Sequence, residues 1–267
     1  MEEADLTPER NLEEDKRLFV EAISSVSIEE IPTEFDEASV QEILNNLAET
    51  KIFILGEMHG VKENVDVIYT LFKKFGFKQL ALEWEPLLKN VADKFLESGE
   101  LDFDAIKDSP DGRITAGHFA LLRKLKDEGM LDQLVCFDEG SGGEGWNARD
   151  SAMAKNILSN MSPSSTLVVA GNLHTKTESF TFRDESGEKH PMGENIKKEI
   201  PHLASGEIEY VSGQYHNFGT QEFTEISEEK TLGAKFYKTE QDRYVFEIPE
   251  AHIATVPNPN ERIEETS

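Results

Sequence analysis

Apolar residues recur along this chain in two alternating rhythms. Val40, Ile43, Leu44 and Leu47 stand at helical spacing and predict a helix near 37–48, with another predicted near 12–24; together they read as a lid over one sheet edge. Lys51-Ile52-Phe53-Ile54-Leu55 is a nearly continuous apolar run ending at Gly56, the pattern of a strand buried on both faces. Helical spacing returns through Val61, Val65, Ile68, Phe72 and Phe75, Gly76 closes that helix, and Leu80-Ala81-Leu82 supplies a second buried strand.

The alternation continues with helices predicted near 86–97 and 116–128, a strand at 133–137, a helix at 148–160 and a strand over Thr166-Leu167-Val168-Val169-Ala170. Past residue 174 a polar loop leads to a helix near 191–200 and strands at 208–212, 235–238 and 244–248, the last two paired as a hairpin. This is the pattern of an α/β fold: a mostly parallel central sheet flanked by helices, with an antiparallel C-terminal hairpin and an N-terminal helical extension. Residues 1–48 are expected to form the extension, 49–255 one α/β domain, and 256–267, polar and carrying Pro257 and Pro259, a disordered tail.

Composition narrows the function classes. The 267 residues include 53 acidic against 27 basic side chains, for a formal charge of −26, so nucleic acid and anionic membrane surfaces are repelled and neither is an expected partner. A small-molecule or peptide substrate fits better. The single cysteine, Cys136, lies in the apolar run Leu134-Val135-Cys136-Phe137 and reads as a small core hydrophobe. The chain opens on acids rather than on a basic segment and apolar run, and no stretch approaches the ~20 apolar residues of a membrane span, so a cytoplasmic location is expected.

Loops leaving the C-terminal ends of parallel strands converge on a crevice, which makes polar residues there the first candidates for chemistry. Four strands deliver them: Gly56-Glu57-Met58-His59-Gly60, Glu83-Trp84-Glu85, Asp138-Glu139-Gly140 and Gly171-Asn172-Leu173-His174. A carboxylate or imidazole left unpaired after a buried strand costs about 1–3 kcal/mol, so four such strand ends point to a site. If the chain stays extended past Leu55, Glu57 and His59 project the same way. That pair suits either of two chemistries: a carboxylate orienting a neutral imidazole as general base for water, or a divalent metal (Zn, Mn or Fe) held by His59, Glu83 and His174. Arg149, at the start of a helix where a cation is disfavoured, is expected to pair with an acid or to hold negative charge on a substrate. His118 reads as a packed helical histidine, and His216 lies where a fifth strand could bring it to the crevice. Ser141-Gly142-Gly143-Glu144-Gly145 lacks the spacing of a phosphate cradle and reads as a flexible loop at the mouth.

Taken in order, Gly56-Glu57-Met58-His59-Gly60, Glu83, Arg149-Asp150-Ser151-Ala152-Met153-Ala154, Gly171-Asn172-Leu173-His174 and Pro191-Met192-Gly193 resemble the superfamily that unites erythromycin esterases, ChaN-type haem-uptake proteins and Tiki metalloproteases, over residues 50–200. The resemblance implies a general-base role for His59, with Glu83 and His174 at matching positions. The single residue between Glu57 and His59 is closer to the ChaN and Tiki spacing than to the esterase one. The expectation is a hydrolase of ester or amide bonds in which His59 activates water, directly or on a metal, Glu57 and Glu83 orient it, His174 serves as ligand or acid, and Arg149 stabilises negative charge. The alternative is a haem- or metal-binding protein without turnover.

Overall fold

A computed structural model describes residues 11–139, 145–183, 187–224 and 233–258. Of the predicted mouth loop at 141–145 only Gly145 is described, and of the predicted tail at 256–267 only 256–258, where Val256 and Pro257 are buried rather than free of the fold. Among the described residues the strands are β1 (Thr33–Phe35), β2 (Ile52–Glu57), β3 (Gln79–Leu82), β4 (Gln133–Cys136), β5 (Thr166–Gly171), β6 (Ala204–Tyr210), β7 (Gln214–His216), β8 (Thr220–Glu222), β9 (Ala234–Lys238) and β10 (Tyr244–Ile248). The helices are α1 (Leu12–Ser25), α2 (Glu37–Thr50), α3 (Asn64–Phe75), α4 (Leu87–Ser98), α5 (Ala116–Asp127), α6 (Trp146–Ser159) and α7 (Met192–Glu199).

Eight strands form one sheet in the order β1-β9-β10-β6-β2-β5-β3-β4. From β10 to β4 every neighbouring pair is parallel; β9 runs antiparallel to β10, giving the predicted hairpin, and β1 lies parallel to β9 at the edge. The run 52–57 is buried at every position, as a central strand between β5 and β6 must be. Three strands carried no legible pattern. β1 is three residues long between two helices, and β7 and β8 form a separate short antiparallel hairpin. The fifth parallel strand is 204–210 rather than 208–212, because Ala204, Gly206, Ile208 and Tyr210 are the buried positions of an alternating pattern with Glu207 and Glu209 between them.

One face of the sheet packs against α1, α3, α4 and α5 and the other against α6 and α7. Helix α2 is capped by Asp36, which accepts from Ser39 N at 2.9 Å, and turns Val40, Ile43 and Leu47 inward. Leu44, part of the predicted stripe, is 39% exposed. Cys136 is buried at the end of β4, and burial pushes its thiol up to about 12, which removes it from nucleophilic chemistry at neutral pH. The α6/α7 face changes character over β6 and β10, where Glu207, Glu209 and Glu247 replace apolar side chains and Arg243 ties Glu207 and Glu209 together at 2.5 and 3.0 Å. Among the described residues no helix is long and apolar enough to cross a membrane.

Candidate functional site

The C-terminal ends of β2, β5, β3 and β4 lie side by side and bring their polar residues together. Glu57, the last residue of β2, and His59, two residues on, project together: His59 Nδ1 is 3.2 Å from Glu57 Oε1. The turn that follows needs Gly60, whose φ is +73° and whose Cβ would fall on the backbone oxygen of His216 at 1.9 Å. Gly60 N–H donates to Gly112 O, and Gly60 O accepts from His216 N and Ala254 N, so three distant segments clamp the loop that presents His59.

Glu83, directly after β3, is the hub. Its Oε2 accepts from Gly171 N–H at 2.8 Å and lies 3.6 Å from His59 Nε2; its Oε1 accepts from Arg149 Nη2 at 2.8 Å. Gly171 leaves room for this: a Cβ there would sit 3.0 Å from His59 Nε2. Arg149, in the first turn of α6, also donates from Nε and Nη2 to Asp138 at 3.0 and 2.7 Å, and its Nη1 is 3.3 Å from His174 Nε2. His174 Nδ1 faces the fully buried Asp150 at 2.9 and 3.0 Å, and Asp150 also accepts from Met192 N–H at 2.7 Å. When the ring is neutral with its proton on Nδ1, His174 presents the Nε2 lone pair to Arg149 and accepts from the guanidinium. Trp146 stacks flat on the same ring, 4.4 Å between centroids.

Arg113 completes the cluster. It donates to Asp111 Oδ2 from Nε at 2.5 Å and to Asp138 Oδ2 from Nη1 at 2.8 Å, and lies 3.5 Å from Glu83. Two guanidinium groups thus alternate with Glu83, Asp138 and Asp111, the arrangement that makes buried charge tolerable. Beside them, Trp84, Leu87, Leu88 and Ile114 form the apolar wall of a cavity of about 300 Å³ that Glu83, Asp111 and Arg113 also line.

The charges set the protonation states. Burial penalises the His59 imidazolium, but the hydrogen bond to Glu57 and the charges of Glu83, Glu57 and Asp111 outweigh it and raise the pKa above 6.5. Burial works against the Glu83 carboxylate too, and the neighbouring His59, His174, Arg149 and Arg113 hold its pKa below the ordinary value nonetheless. Burial likewise opposes the Arg149 charge and is overcome by Asp138 and Glu83. The second oxygen of Glu57 is buried and has no hydrogen-bond partner among the described residues.

The structure brings together all five residues singled out from sequence, in two subgroups. Glu57, His59 and Glu83 form one; Arg149 and His174 form the other, with Glu83 shared. For the three expected metal ligands, the guanidinium of Arg149 occupies the approach between Glu83 Oε1 and His174 Nε2, which are 3.7 Å apart. Among the described residues no group of three or more His, Cys, Asp or Glu side chains is arranged to hold a metal ion.

Asp138 was legible as a strand end, and Asp150 lies beside Arg149 in the motif. Arg113 and Asp111 come from an irregular loop before α5 that carries no periodic signal. His216 is buried behind the site with Nε2 2.9 Å from Pro110 O, and His118 is packed beneath it, bonded to Thr115 and lowered in pKa by burial.

The fold recurs in solved structures at low sequence identity. A Bacillus cereus protein is 9% identical with a TM-score of 0.57, covering 92% of this chain and 99% of that one. A succinoglycan biosynthesis protein is 10% identical with a TM-score of 0.57, over 90% and 98%. A histidine-to-asparagine mutant of the erythromycin esterase EreC, in its open conformation, is 13% identical with a TM-score of 0.59, over 82% and 95%. No protein-family model and no curated protein matches the sequence.

Proposed function

We propose that this chain hydrolyses an ester or amide bond of a small-molecule or peptide substrate, with His59 as general base. The observation that carries the reading is the geometry of His59. Its ring is 17% exposed beside a Glu57 carboxylate that is 4% exposed, and Nδ1 is directed at that carboxylate. Donation from Nδ1–H to Glu57 leaves the Nε2 lone pair free to take a proton. The fold it shares with an erythromycin esterase, and the motifs that resemble that superfamily, support the same reading.

In this mechanism water gives a proton to Nε2 as its oxygen adds to the carbonyl carbon. Glu57 and Glu83 flank the imidazolium as it forms, so the charge they favour appears only as the reaction proceeds. The tetrahedral intermediate then expels its alkoxide or amine, which takes the proton back from Nε2. Arg149 is committed to Glu83, Asp138 and His174, so its part is to hold the acids in place. Arg113, although paired with Asp111 and Asp138, is 32% exposed against 19% for Arg149 and is the more open cation to a carbonyl oxygen.

One observation favours a second reading, a cation bound without turnover: the unpartnered buried oxygen of Glu57 beside His59. Elemental analysis of the purified protein before and after chelation, with an ester and peptide hydrolysis panel run on the wild type and His59→Ala, decides between them. Turnover that survives chelation and vanishes in His59→Ala supports the general base. A stoichiometric metal or a Soret band on haem addition, without turnover on any substrate, replaces it with binding.

A further inference from the structure

On the α6/α7 side of the sheet, next to the loop that carries His174, lies a second cavity of about 300 Å³. Its walls come from that loop through Asn172, Thr177 and Phe180, from β6 through Ser205, and from the turn between β9 and β10 through Gln241 and Arg243. The side chains of Asn172, Thr177, Ser205 and Gln241 make no hydrogen bond to other described residues, and the buried Arg243 Nε has no partner either. Gln241 is exposed and Asn172, Thr177 and Ser205 are half-buried, so these groups are open to solvent, and a polar ligand entering the hollow would take the place of that water.

The charges say which polar ligand. Arg243 is tied to Glu207 and Glu209 at 2.5 and 3.0 Å, and Asp242 to Lys238 at 2.6 Å. Lys176, its Nζ 5.9 Å from the centre of the Phe180 ring, and Glu178 are the other charged groups in the lining, one of each sign, so neither an anion nor a cation is selected. The groups left are hydroxyls, amides and one aromatic ring. Phe180 is held edge-on to Trp146 at 6.2 Å, and Trp146 is stacked on His174, so the ring is braced against the catalytic cluster. A neutral ligand with many hydroxyls and one C–H face matches that set.

We infer that this cavity binds a neutral sugar residue, its C–H face on Phe180 and its hydroxyls on Asn172, Thr177, Ser205, Gln241 and Arg243. The site adjoins the His59 cluster through Asn172, whose N–H donates to Glu57 O at 2.9 Å, but binding there does not depend on hydrolysis.

Saturation-transfer NMR of the full chain with the methyl glycosides of glucose, galactose, mannose and N-acetylglucosamine tests it. At least one is expected to bind at millimolar strength, with transfer to its ring protons. Gln241→Ala, at an exposed turn where folding is not at stake, and Phe180→Ala should each weaken binding about fivefold, the worth of one lost contact. Leu87→Ala, in the other cavity, should leave it unchanged. Absence of transfer from all four glycosides, or transfer untouched by both lining variants, overturns the inference whatever the hydrolysis panel shows.

Discussion

The guanidinium of Arg149 stands between Glu83 and His174, 2.8 Å from the carboxylate and 3.3 Å from the imidazole. A cation built into the protein thus occupies the ground between two groups that sequence reasoning assigned to a common metal. Three of its four contacts are carboxylate oxygens, and the fourth is a histidine nitrogen whose other side is fixed by Asp150.

Removing that cation should be costly. Arg149→Met leaves Glu83 and Asp138 buried with Arg113 as the remaining guanidinium beside both, and breaking a buried pair from one side typically costs about 3–5 kcal/mol. The expected outcome is a loss of that order in denaturant unfolding. Arg149→Lys should recover only part of it, because an ammonium cannot span two carboxylates as a planar fork does. Equal stability of Arg149→Met and wild type would show that the cluster carries little of the fold.

His59→Ala should abolish general-base catalysis, a fall of about 10²–10⁴-fold in turnover, with the chain still folded at a pH above the His59 pKa, where the neutral ring has no ionic contact to lose. Steady-state kinetics alongside circular dichroism separate the two effects. A variant that keeps full activity would remove His59 from the reaction.

The pH dependence follows from the same residue. The base must be neutral, and the His59 pKa is raised above 6.5, so activity should increase with pH through that raised value and fall away on its acid side. Glu83→Gln removes one of the charges responsible and should move the acid limb to lower pH. Stability runs the other way: the protonated ring's favourable contacts are fully present below 6.5 and are lost as pH rises through the folded pKa. A limb that stays in place in Glu83→Gln would assign it to another group.

How much of this was readable in advance differs between sheet and site. Glu57, His59, Glu83, Arg149 and His174 were found because parallel strands are short apolar runs, and whatever polar residue follows one is placed by the strand itself. Arg113 and Asp111 follow no such rule. They sit on a loop whose path is set by Trp84 Nε1–H donating to Arg113 O at 2.8 Å and by the crowding of Gly112 against Gly60, contacts between segments that no local pattern encodes. β1 escaped for a related reason: three residues, one of them exposed, make no periodicity.

Gly171→Ala offers a test of spacing alone. The new methyl would lie 3.0 Å from His59 Nε2, closer than a side-chain carbon normally comes, so the imidazole must move by a few tenths of an ångström. Activity should drop by up to about 10²-fold while the pKa of His59, followed by NMR titration, changes with its distance from Glu83. Unchanged kinetics would mean that the ring has freedom to spare.

The edge of the sheet has a consequence for how the molecule assembles. β1 finds its partner, β9, about 200 residues further along the chain, with Thr33 opposite Ala234, whereas β2 meets β5 about 114 residues on and β3 meets β5 about 87 residues on. The closure cost grows only slowly with loop length, but here it is rewarded by three residue pairs, against six for β2 with β5. The parallel centre, with the strand ends that carry Glu57, His59 and Glu83, can therefore form before β1 meets β9. The pairing of β1 with β9 is expected to be the last seam to close in folding and the first to open under strain.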